Sequence, residues 1–310
     1  MKKRILVISS ANMDMIMPVT KIPAAGETLL LEGGVSYAPG GKGANSAIAF
    51  ARLGADTVFA TRLGHDSHGE TLYDYYKECG IDVSHVVIDE ERSTGFAAIM
   101  VEAETGQNRI LCYPGANAAI SEEDIDGAFR SCPDALYMQL EIGEEAIFYA
   151  AEYAHRHEIP IFIDAGPARA DFPLEKLPRM TVFSPNETET EIYTGIAPQG
   201  ADACLKAAHE LYKRVKADYI VIKLGDRGAF IFNGARCKFV PPYHVRAVDT
   251  TAAGDTFTAA LTLRYLESGG DISAAALYAN AAAAITVSRM GASYSIPTAE
   301  EVERFLADQT

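Results

Sequence analysis

The chain has 310 residues, 48% of them hydrophobic and 22% charged, with 27 Lys and Arg against 42 Asp and Glu for a formal net charge of −15. That apolar share excludes an intrinsically disordered chain, and a chain this long buries most of the surface it exposes when unfolded. The acidic balance speaks against nucleic acid as a main partner, because phosphate neutralisation needs clustered Lys and Arg.

In chain order, residues 4–9 form a short run rich in Ile and Val that reads as a buried strand. Asn12 and Asp14 interrupt it too early for a signal peptide. No uncharged apolar stretch of about 18 residues follows, so a cytoplasmic protein without a membrane span is expected. Residues 15–37 carry Pro18, Pro23, Gly26, Gly33 and Gly34 between short apolar pieces. Residues 43–53 are alanine-rich and helical, with Gly54 as the stop. A strand is predicted over 56–60 and a helix over 70–79, ended by Gly80. Residues 95–101 and 108–113 read as two strands around a turn-like stretch at 104–107. Further strands are predicted over 135–139, 159–163, 181–183 and 219–222, with helices over 144–157, 187–193 and 202–215. A last obvious helix opens near Asp255 and runs to about Leu266.

Alternating strands and helices imply a mostly parallel sheet with helices on both faces. Residues 15–37 and 95–113 break that rhythm and look like antiparallel strands added to the α/β body. No linker or internal repeat divides the chain, so one α/β domain with a β appendage is expected. The appendage, drawn from about 12–42 and 93–115, would cover a cleft or make a dimer contact. The five cysteines (Cys79, Cys112, Cys132, Cys204 and Cys237) are odd in number and far apart, with no CxxC. Reduced, mostly buried thiols are expected rather than disulfides or a zinc site. The seven histidines form no HExxH, and His155 and His157, two apart on a helix, face different ways.

Four short motifs carry chemistry. Asp249-Thr-Thr-Ala-Ala-Gly254-Asp255 places small residues before a helix whose first N–H groups lack internal partners, where an anion can approach. Asp255 there is either a helix cap or a base beside an anion site, the arrangement that phosphoryl transfer to a hydroxyl requires. Pro39-Gly40-Gly41-Lys42-Gly43-Ala44-Asn45 opens another helix and is neither a Walker A loop nor GxGxxG. Its Lys42 and Asn45 suit hydrogen bonding to a polyhydroxylated ligand. Asn12-Met13-Asp14 follows the first strand, so Asn12 and Asp14 either form a turn or face one ligand in extended chain. In Ser184-Pro-Asn186-Glu187-Thr188-Glu189, Asn186 and Glu189 are either a capping box or holders of water around magnesium.

With PGGKGAN, SPNETE and DTTAAGDTF in this order, NMD after the first strand and PGAN at 114–117, the chain resembles the ribokinase family of carbohydrate kinases. The resemblance runs over essentially the whole sequence. It implies a ribokinase-like α/β fold, a central mostly parallel sheet flanked by helices, with a small β-sheet lid that also forms a homodimer interface. It implies ATP-dependent phosphorylation of D-ribose at O5, with Asp255 as general base and the backbone of Ala252, Ala253 and Gly254 as anion hole. Asn12, Asp14, Gly40, Gly41, Lys42, Asn45 and Glu141 match sugar-contacting positions, and Met13 would tighten that pocket. Asn186, Lys223, Gly225, Asp226, Gly228, Gly254 and Asn280 match positions near the nucleotide, with Asn280 either near adenine or merely paired within its helix. Glu189 would hold Mg²⁺ through water. Asp249, Thr251, Thr286, Arg289, Gly291 and Ser295 would hold an activating K⁺, largely through backbone carbonyls. Deoxyribose, a nucleoside or fructose are the alternative acceptors. A binding protein without catalysis and a dinucleotide-dependent oxidoreductase are the readings from other classes, the latter opposed by the missing GxGxxG.

Overall fold

The computed structural model describes residues 2–31, 33–102 and 108–309. Its strands are β1 (Arg4–Ile8), β2 (Asn12–Val19), β3 (Ser36–Gly40), β4 (Asp56–Gly64), β5 (Asp82–Asp89), β6 (Gly95–Glu102), β7 (Asn108–Tyr113), β8 (Ala135–Met138), β9 (Ile161–Asp164), β10 (Met180–Ser184), β11 (Ala217–Lys223), β12 (Ala229–Phe232) and β13 (Cys237–Val240). Its α-helices are α1 (Lys42–Arg52), α2 (Ser67–Glu78), α3 (Glu122–Phe129), α4 (Glu144–Arg156), α5 (Glu187–Thr194), α6 (Ala201–Arg214), α7 (Ala253–Glu267), α8 (Ile272–Val287) and α9 (Ala299–Ala307). The predicted turn over 104–107 lies outside the described residues.

A nine-stranded sheet has the order β13-β12-β11-β10-β9-β8-β1-β4-β5. It is parallel from β11 to β5, and β12 and β13 close it antiparallel. Alternate side chains of a strand face opposite ways. Ile5, Val7 and Tyr137 therefore join one core, with α1, α7 and α8, while Leu6, Ile8, Leu136 and Met138 join the other, with α3, α4 and α6. The alanines of α1, α7 and α8 let these helices lie close together, and α8 is apolar almost all round because it is buried between neighbours.

A second sheet has the order β3-β2-β6-β7. The appended strands are not all antiparallel, as the sequence led us to expect: β2 and β6 pair in parallel, with β3 and β7 antiparallel outside them. A parallel pair needs a long crossover, and the chain from β3 through β5 supplies it. Met13 also departs from expectation. It alternates away from Asn12 and Asp14 and packs, 3% exposed, in the core beside α1 rather than lining a pocket. Only Cys204 among the cysteines is buried; all five are free thiols, and Cys112, Cys132 and Cys237 are exposed, two of them on the edge strands β7 and β13.

Candidate active site

Ligand sites of open α/β sheets lie beyond the carboxyl ends of the strands. Here those ends meet the starts of α1, α5 and α7. Helix α7 has Ala252 at its N-cap position, in left-handed backbone at φ 60° and with no side-chain cap. Asp255 is thus not the cap; it sits in the first turn with its side chain turned inward, 4% exposed. The N–H of Ala253 reaches Thr250 O at 3.3 Å. Among the described residues, those of Ala252, Gly254 and Asp255 have no acceptor, so an unpaired donor set opens at the helix's positive end.

Asp255 Oδ2 accepts from Asn45 Nδ2 at 2.9 Å, and Lys42 Nζ lies 3.8 Å from Oδ1. Burial pushes the carboxyl up from its usual 3.8 to about 6, helped by the charge of Asp164 and opposed by Lys42 and the Asn45 hydrogen bond. That value suits a group that must take a proton near neutral pH. Lys42 is held protonated well above its usual range, chiefly by Asp255.

The glycine-rich turn is shaped by close approach. Gly41, at φ 89°, lies where any side chain would come within 2.9 Å of Asn12 N, and one at Gly43 would run into Ser9 and Ser10. The start of α1 is thereby pressed against the end of β1. Glu141 accepts from Lys42 N at 3.1 Å and from the Ser10 hydroxyl. Asn12 Oδ1 accepts from Asn117 Nδ2 at 2.8 Å, and Asn117 also accepts from Ala11 N at 2.9 Å and donates to Ala11 O at 3.1 Å. Asp14 lies against Gly40 and has no hydrogen-bond partner among the described residues. Its carboxyl is pushed up to about 7 by burial, then by the charges of Glu141 and Asp255. Asn12, Asp14, Gly40, Gly41, Lys42, Asn45 and Glu141 thus converge, on the small-sheet side of Asp255.

On the other side of α7 opens a cleft of about 540 Å³. Asn186, Lys223, Gly225, Asp226, Gly228, Gly254 and Asn280 all line it. Asn186 and Glu189 do form a capping box on α5, at 2.8 Å in both directions. Glu189 is 5% exposed, and burial raises its carboxyl. Asn280 donates to Pro241 O at 2.7 Å, so its amide nitrogen is engaged within the wall. Lys223 behaves unlike its loop neighbours: it ends β11, and its ammonium turns inward to Asp164 Oδ2 at 2.6 Å.

Of the six residues expected around a monovalent cation, Asp249, Thr251 and Gly291 are tied together directly. Asp249 accepts from Thr251 N at 2.9 Å, Thr251 Oγ1 at 2.7 Å and Gly291 N at 3.0 Å. Burial would raise this carboxyl, but the Thr251 and Gly291 hydrogen bonds outweigh it and hold it low. Arg289 N donates to Thr286 O at 3.2 Å. The Arg289 guanidinium is turned to Glu301 at 2.6 and 3.2 Å. Ser295 donates to Ala292 O at 2.8 Å.

Sequence reading missed Asp164, Thr258, Ser10 and Gln139. Asp164 ends β9, so the strand-end rule that singled out Asp14 would have found it. Gln139 is buried and ties Ser9 Oγ at 2.6 Å to Lys42 O at 2.7 Å, a role visible only in three dimensions.

Over residues 2–299 the chain matches the pfkB family carbohydrate kinase. It is 35% identical over 306 residues to a ribokinase of Staphylococcus aureus (strain COL), covering 98% of this chain and 100% of that protein. It is 33% identical over 306 residues to a deoxyribokinase of Salmonella typhimurium, covering 98% of each. The chain spans 55% of the length of a bifunctional ribokinase/ribose-5-phosphate isomerase A of Fructilactobacillus sanfranciscensis, to which it is 36% identical over 303 residues. Among solved structures, that of Arabidopsis thaliana ribokinase complexed with ribose and ATP matches at a TM-score of 0.88 and 29% identity, covering 99% of each chain. With a family match over nearly its whole length, the chain belongs to the pfkB family of carbohydrate kinases, as a sugar kinase of the ribokinase type.

Proposed function

We propose that the protein transfers the γ-phosphoryl group of ATP to O5 of D-ribose, giving D-ribose 5-phosphate and ADP. The observation that carries this reading is Asp255: one buried carboxylate, tuned to about 6, standing between unpaired helix N–H groups and a converging set of polar side chains. The sugar lies against Asn12, Asp14, Lys42, Asn45 and Glu141, under the small sheet as a lid. Its O5–H points at Asp255, which takes the proton as O5 bonds to phosphorus and the bond from phosphorus to the β,γ-bridging oxygen breaks. The N–H groups of Ala252, Gly254 and Asp255 donate to the oxygens of the transferred group and offset the charge on them.

ATP occupies the cleft lined by Asn186, Lys223, Gly225, Asp226, Gly228 and Asn280, where its volume suits a nucleotide. Glu189 fits Mg²⁺ held through water, since one of its oxygens serves the cap and the other faces Gly166, where a side chain would collide with it. Bound Mg²⁺ neutralises phosphate charge. The Asp249 loop is the candidate K⁺ site: Asp249 gathers Thr251 and Gly291, and the neighbouring Thr250 carbonyl accepts from Ala253 N at the start of α7. The exposed Ile110, Leu111 and Tyr113 of β7 suit a homodimer through the lid. Among the described residues no helix is long and apolar enough to cross a membrane.

A coupled ADP-release assay with MgATP, comparing ribose, 2-deoxyribose, fructose and adenosine with and without K⁺, tests this. The fastest turnover on ribose, rising with K⁺, is expected. A second acceptor, deoxyribose, is favoured by the 33% identical deoxyribokinase; faster turnover on it would move the sugar assignment and keep the chemistry. No turnover on any acceptor by folded protein would overturn the reading.

A further inference from the structure

Beneath the start of α7 lies a buried ion pair to which the chemistry above gives no part in the transfer step. Asp164 is 1% exposed, and its Oδ2 accepts from Lys223 Nζ at 2.6 Å and from Thr258 Oγ1 at 2.7 Å. The Thr258 hydroxyl also accepts from Lys223 Nζ at 3.3 Å and lies 3.1 Å from the carbonyl of Gly254. Two of the three ammonium donors are therefore engaged behind the helix. The ammonium is not sealed in: Lys223 lines the cleft with Gly254, its side chain 10% exposed. A methyl group at Gly254 would stand 3.6 Å from Nζ.

A buried ion pair is a poor source of stability, because taking both charges out of water costs about as much as their attraction returns. A fold that needed only packing here would do as well with two apolar residues. The pair instead fixes a positive charge, in one place, beside the unpaired N–H groups. Lys42 stands on the sugar side of Asp255 and Lys223 on the nucleotide side.

We propose that Lys223 is a catalytic residue: its remaining N–H bonds the γ-phosphoryl group as it crosses from ATP to the sugar, while Asp164 and Thr258 are positioning residues that hold the ammonium at the mouth of the anion cradle. This rests on the phosphoryl-transfer reading of the cleft. It differs from a role in docking the nucleotide, because the contact is to the group in flight and not to the part of ATP that remains as ADP. Removing one preorganised donor to a transition-state oxyanion costs about 10²–10³-fold in kcat.

The test is Lys223→Met, with kcat, both KM values and the calorimetric Kd for ADP. We expect kcat to fall about 10²–10³-fold, with sugar KM and ADP affinity changed less than about threefold. Methylammonium added to Lys223→Ala restores part of the lost turnover. The double variant Lys223→Met/Asp164→Asn removes both charges of the pair together, so it keeps the fold even where the single variant does not, and it stays as slow. Wild-type kcat in the double variant would show that the lysine only balances Asp164 and would overturn the proposal. A weaker ADP affinity with kcat intact would overturn it too, in favour of nucleotide docking. Wild-type protein that transfers no phosphoryl group would overturn the reading of the cleft itself, whereas wild-type turnover matched by Lys223→Met would overturn only the role of Lys223.

Discussion

Asp255→Asn is expected to trade activity for stability. In the folded chain the carboxyl is raised from 3.8 to about 6, so above that pH the native state holds a carboxylate that burial disfavours. The sign is that of a raised acid: the group contributes least penalty below pH 3.8, and stability is lost as pH climbs to about 6. Two pKa units correspond to about 3 kcal/mol at pH 7. Asn is the neutral isostere and escapes that cost, apart from what Lys42 loses in its partner at 3.8 Å. At roughly 2 cal/mol/K of unfolding entropy per residue, a chain this size gains roughly 5 °C in Tm. Turnover falls about 10²–10⁴-fold, because the amide cannot take the proton of the sugar hydroxyl. Calorimetric melting at pH 7 beside the ADP-release assay measures both. Wild-type turnover refutes the base assignment; a Tm lowered by a similar margin refutes the burial argument.

On the proposed sugar contact, Asp14, raised to about 7, accepts hydroxyls best when ionised, so the sugar KM should fall as pH rises from 6 to 8. Asp14→Ala should raise the sugar KM far more than the ATP KM and flatten that pH dependence; equal effects on both substrates would count against sugar contact. Asn117→Ala removes three buried hydrogen bonds around Ala11 and Asn12, and a loss of about 2–4 kcal/mol in urea unfolding is expected, with a raised sugar KM. Asp249→Ala unties Thr251 from Gly291, so activation by K⁺ should disappear while sugar affinity persists; an unchanged K⁺ response would separate this loop from the cation.

Much of the architecture was legible because period and punctuation agree with the fold. The run at 4–9, the alanine-rich start of α1 and the place of Asn186 just beyond β10 all read correctly, and each is set by local chemistry. What was not legible depends on packing. Helix α2 begins at Ser67, three residues before the predicted start, because Asp66 caps it by accepting from Gly69 N at 2.8 Å. The direction of β6 against β2 is a property of the whole crossover, which no window of sequence contains. The cap reading of Asp255 falls only once the left-handed Ala252 is seen to take the N-cap place. Lys223 was assigned to the loop it precedes, since only the fold shows that its side chain turns back to Asp164 from another strand.

Asn45 and Asp255, joined by one hydrogen bond, are 210 residues apart in the chain. At about 5–20 residues per second of synthesis, α7 follows α1 by roughly 10–40 s. Throughout that interval a nascent chain holds the glycine-rich turn and the first strands but not Asp255. On the proposed reading of Asp255, such a chain has no means to activate an acceptor. The same separation sets the order of refolding. Contacts this distant in sequence are slow to close, and recovery of activity should trail recovery of helical signal after dilution from urea.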